Sequence, residues 1–167
     1  MQLPSPIQSA ISPRQVLAED FKTIAELPIR GGWGYTKADA CIIDKDDPVV
    51  NPAIPFAGMD LESLFVEKRI YEELVICRPK GEQFNGIQWT LLTQELVSDG
   101  ARVFDRLVYA ITALSDADWD ELKSAWENPD WHASNTFAAA AHQSRREERM
   151  LRIEREFWFD ITSFFGK

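Results

Sequence analysis

Two cysteines and two histidines in 167 residues leave little material for disulfide or metal chemistry. Cys41 and Cys77 form no CxxC pair. They sit in the apolar runs "ACII" and "LVIC", which read as buried, reduced thiols. His132 and His142 are ten residues apart, a spacing that puts them on different faces of a helix. HxxxH and HExxH are absent. No metal site and no cofactor is expected. Positive charge is also scarce: 18 Lys and Arg against 27 Asp and Glu, a net charge of −9. Such a body repels phosphate backbones, so nucleic acid is not an expected partner. No apolar run approaches the ~18 residues of a membrane span. The opening "MQLPSPIQSA" lacks the basic and apolar regions of a signal peptide. These absences together point to a cytoplasmic protein.

The familiar catalytic patterns are missing too. There is no GxSxG elbow, no GxGxxG fingerprint and no GxxxxGK[ST] loop. Asp44 and Asp46 could open a calcium loop, but Val49 stands at the turn glycine and Pro55 at the bidentate glutamate. Asp130 beside His132 in "PDWH" is the weak remaining candidate for acid–base catalysis.

The composition itself is that of a balanced globular chain, 45% hydrophobic and 27% charged. A single domain over 1–167 is expected, with 1–10 as a flexible N-terminal arm. Ser12 and Pro13 mark the start of a helix that Pro28 ends. "ACII" reads as a short buried strand. Residues 60–77 are ambiguous between helix and strand. A helix gathers Leu61, Leu64, Phe65, Tyr71, Leu74 and Val75, with Lys68 as a fault. A strand from Val66 sets Val66, Ile70, Leu74 and Ile76 against Glu67, Arg69, Tyr71 and Glu73, and one helical turn at 60–64 followed by that strand is preferred. "GIQWTLLTQELV" and "RVFDRLVYAITAL" flank "SDGA", a hairpin signal, although a helix over 99–113 competes. Ser115 caps the next helix. The last helix runs from about 134 to 164, where Met150, Phe157 and Phe164, and Leu151, Trp158 and Phe165, recur every seven residues. The expected fold is therefore α+β: an antiparallel β-meander over about 66–113, packed with an N-terminal helix and two C-terminal helices, the last one long.

Two functional readings remain. The first is a non-catalytic binding protein acting through a protein partner or a second copy of itself, of toxin-neutralising or adaptor type. Acidity, the missing catalytic patterns and the broad apolar face with Met150, Phe157, Trp158 and Phe165 motivate it. The second is a small-ligand protein or enzyme that uses the loop "RGGWGYTK". There Arg30, Trp33, Tyr35 and Lys37 could line a site for an anion or a ring. The plainer reading of that loop is a tight corner whose aromatics plug the core.

Overall fold

The computed structural model describes residues 3–127 and 136–167. It is an α+β fold, with a five-stranded mixed sheet and, among the described residues, four helices.

Helix α1, Pro13–Asp20, begins as expected: Ser12 Oγ accepts the Gln15 N–H at 3.3 Å, and Pro13 holds the first position. It stops at Phe21, one turn and more before Pro28. Short strands β1 (Ile29–Gly31) and β2 (Cys41–Ile43) pair antiparallel. Long strands β3 (Phe84–Asp99) and β4 (Arg102–Ser115) form the hairpin that Asp99-Gly100 announced. Helix α3, Asp116–Glu127, is capped by Ser115, whose Oγ accepts the Asp118 N–H at 3.2 Å.

Two regions exchange the roles expected of them. Residues 66–77 are not a strand. They belong to helix α2, Gly58–Tyr71, which continues as a wider π-helical turn over Glu72–Ile76. The charges that interrupt its apolar stripe are absorbed locally. Lys68, the apparent fault, lays its Nζ 4.6 Å above the Phe21 ring. Arg69 and Glu73 are buried with hydrogen-bond partners, and Glu62 and Glu72 are buried beside Asp105 and Asp20. Helical spacing then stacks Val66, Ile70 and Leu74 as one buried row, with Phe65 beside it.

The C-terminal half of the expected long helix is the other exchange. Helix α4, Thr136–Arg149, ends before Met150, and Leu151–Asp160 form strand β5. Seven is an odd number, so residues seven apart alternate sides in a strand. Leu151, Phe157 and Phe159 are buried beside Ile153, while Trp158 faces the other way. The meander is corrected accordingly. β5 takes the third place, antiparallel to β4 from Phe104↔Asp160 to Ala113↔Leu151. β2 adds in parallel through Cys41↔Phe159, which makes the sheet mixed, in the order β1-β2-β5-β4-β3.

α2 lies on the sheet face that carries Leu107, Ile111, Phe157 and Phe159, and these form the main core. Phe65 meets Phe159 edge-on at 5.6 Å between centroids, and Tyr71 meets Trp89 at 6.1 Å. Cys41 is buried as expected, and burial pushes its thiol up. Cys77 is not: it is exposed after the π turn, because that turn carries it past the core.

Candidate functional site

The loop between β1 and β2 is a corner. Gly31 and Gly34 hold φ of 83° and 80°, which other residues resist. At Gly34 a Cβ would stand 2.8 Å from the Trp158 carbonyl oxygen, and Trp158 N–H donates to the Gly34 carbonyl at 2.8 Å. Glycine is therefore what lets the loop lie against β5. This placement drives Trp33 into the core, 5% exposed, 6.3 Å from Phe65.

Tyr35 enters the same interior from the next turn. Its hydroxyl donates to Glu73 Oε2 at 2.6 Å and accepts the Ile7 N–H at 3.0 Å. Its ring covers one side of the Arg69 guanidinium at 3.9 Å, and Phe157 covers the other at 3.5 Å. Arg69 is fully buried and spends its terminal nitrogens on backbone. It donates to the Trp33 carbonyl at 3.0 Å and the Glu156 carbonyl at 2.7 Å. Arg155 closes the cluster, donating to Glu73 at 2.6 Å and to the Pro4 carbonyl at 2.7 Å. Burial lowers the Arg69 pKa to about 10, against the opposing pull of Tyr35 and Glu73. Burial likewise pushes the Tyr35 phenol up. Chemically this is a stacked, hydrogen-bonded clamp that ties the loop, α2, β5 and the N-terminal segment together.

The other two loop candidates lie outside that cluster. Arg30 is exposed and 3.8 Å from Asp44. Lys37 reaches Asp99, at the hairpin tip, at 3.0 Å. The four residues are thus divided between core and surface and are not gathered around one opening. Asp130 and His132 lie outside the described residues. Among the described residues, no three His, Cys, Asp or Glu side chains are placed to hold a metal ion.

The residues expected at an interface are likewise dispersed once β5 replaces the helix. Phe157 is core, Met150 and Trp158 are half-buried, and Phe165 is exposed. Trp158 packs edge-on to Phe104 at 6.3 Å, with the Arg106 guanidinium 5.7 Å from its ring.

A different surface is more conspicuous. β3 is an edge strand, paired only with β4. Every residue from Thr90 to Leu96 is exposed, including Leu91, Leu92 and Leu96 at 42%, 48% and 56%. Leu91 and Leu96 stand opposite Tyr109 and Asp105, on the face that carries α2. The strand has no Lys and no Pro, and its two acids, Glu95 and Asp99, are engaged by Arg106 and Lys37. A register shift between Leu91 and Thr93 is its one irregularity near the leucines. Residue-by-residue reading recognised the strand. It missed the edge, because position in the sheet depends on β5, which reads as a helix. The uncharged run "WTLLTQ" was the available signal.

No family model matches this chain, and neither a curated protein nor a solved structure resembles it significantly. No described helix is long and apolar enough to cross a membrane.

Proposed function

We propose that this protein is a non-catalytic binding protein that engages a protein partner through the open edge of β3. The supporting observation is the edge itself. A strand of 16 residues carries unpaired backbone donors and acceptors and three exposed leucines, without the lysines or prolines that usually blunt such an edge. An extended partner segment can complete the ladder as a sixth strand, with alternate side chains on Leu91 and Leu96. The acidity favours a neutral or basic partner strand and argues against nucleic acid. Two free thiols fit a reducing, cytoplasmic setting.

Paired capture from the native host with wild type and a Leu92→Lys/Leu96→Lys variant tests this reading. The expected result is a partner retained by wild type and lost by the folded variant. Sedimentation distinguishes a second copy of the chain from another protein. A partner held equally by both versions, or a wild type that stays monomeric and captures nothing, overturns the edge as the docking surface.

A further inference from the structure

On the reverse face of the sheet, α3, α4 and the end of β4 line a half-open cavity of about 300 Å³. Its apolar wall is Leu114, Trp119 and Leu122, and its polar rim is Lys123, His142, Gln143 and Arg146. Leu114 and Leu122 are buried yet stand outside the main core cluster, so this is a second, separate packing region. β3 contributes backbone. Gly86 has φ of 59°, and a Cβ there would stand 2.9 Å from the Trp119 ring and 3.8 Å from Arg146 Nη2. The missing side chain is what lets the tryptophan and the arginine approach the strand together.

Arg146 is the informative residue. The other half-buried arginines all have oxygen partners. Arg14 holds Asp47, Arg106 holds Glu156, Arg149 holds Glu121, Arg155 holds Glu73, and Arg78 donates to the Glu82 carbonyl. Among the described residues Arg146 has no ion pair, and neither has Lys123 across the cavity. In a chain with 27 acids, two cations that make no ion pair among the described residues, beside one cavity walled by Trp119, are a local reversal of charge. His142 reports the same field: burial, then Arg145 and Arg146, lower its pKa. A half-buried guanidinium without a counter-ion is poised for a charge-assisted bond to an incoming oxyanion.

We propose that the α3–α4 cavity is a binding site for a small aromatic acid, its ring against Trp119 and Leu122 and its carboxylate or phosphate held by Arg146 and Lys123. The volume suits one ring bearing a short acidic arm and lies at the small end of ligand pockets. The site is independent of the β3 edge, so either proposal can fail alone.

The test is a nuclear magnetic resonance titration read at the Trp119 indole N–H, assigned with Trp119→Phe. The probes are phenylacetate, phenyl phosphate, neutral phenylacetamide and inorganic phosphate. An aromatic acid is expected to give a saturable shift, with phenylacetamide weaker by about tenfold or more. Arg146→Ala and Lys123→Gln are each expected to weaken the acids by a similar factor while the thermal unfolding midpoint stays in place. Lys123 is exposed, so its variant carries the test even if Arg146→Ala does not fold. Equal binding of the neutral amide, inorganic phosphate binding as tightly as the aromatic acids, no saturable shift in the millimolar range, or folded variants that bind like wild type would each overturn the proposal.

Discussion

Arg69 and Arg146 both reach toward the sheet from a helix, and the molecule treats them in opposite ways. Arg69 is stacked between Tyr35 and Phe157, its terminal nitrogens are bonded to backbone carbonyls, and it is sealed from solvent. Arg146 stands at the rim of a cavity and makes no ion pair among the described residues. The Arg69 Nε–H has no partner, but it is sealed from solvent with the rest of the guanidinium and out of a ligand's reach, so the first cluster contributes conformational definition. An unengaged, half-buried charge stays within that reach. The difference separates a loop that looked functional in sequence from a cavity that did not.

Three measurements sharpen or break this contrast. The largest effect belongs to the closed cluster. Arg69→Ala leaves two buried carbonyls without donors and a void between two rings, and should cost about 3–5 kcal/mol in urea unfolding. Arg69→Met fills the volume and should cost less. If Arg69→Ala leaves the midpoint where it is, the clamp is not structural and the contrast collapses.

The second effect concerns pH. Glu62 is buried against Asp105, which also accepts from Gln94 at 2.7 Å. Burial, reinforced by the Asp105 charge and hydrogen bond, raises the Glu62 carboxyl from 4.5 to about 8. Its folded-state pKa is above the unfolded value, so the folded state holds the extra proton. This contribution to stability is complete below pH 4.5 and is lost as pH rises toward 8. Glu62→Gln cannot ionise. Its stability relative to wild type should therefore grow from pH 5 to pH 8, by on the order of a few kcal/mol. Glu72, raised to about 8 by burial and by Asp20, keeps a slope of its own in that variant. Parallel pH profiles for the two proteins would place Glu62 in water.

The smallest effect belongs to the open site. Arg146→Ala removes no ion pair made among the described residues and should stay within about 0.5 kcal/mol of wild type. A loss as large as that of Arg69→Ala would make Arg146 a structural residue and erase the contrast from the other side.

Local chemistry was legible wherever a single residue type decides the geometry. Ser12 with Pro13, and Ser115 with Asp116 and Asp118, mark helix starts because hydroxyls satisfy free N–H groups without help from elsewhere. Asp99-Gly100 marked the hairpin, because Gly100 takes the positive φ of 62° that the tight turn needs. The glycines around Trp33 identified a corner, and its aromatics plug the core as such a corner requires. The cavity was the least legible feature, since Trp119 and Lys123 stand on α3 and Arg146 on α4, and Trp119 and Arg146 meet only at a glycine of β3.

The sequence by itself determined the caps, the hairpin, the corner and the acidic surface, because each rests on neighbours in the chain or on simple counting. Only the tertiary structure decided α2 and β5. Residues 66–77 carry charges that spoil a helical stripe until Phe21 receives Lys68 and Tyr35 and Phe157 receive Arg69. Residues 151–160 fit helical and extended periods alike until β4 and β2 offer a free ladder on both sides. Hydrophobic period is a local property, but the partner that settles it came from residues far away in the chain.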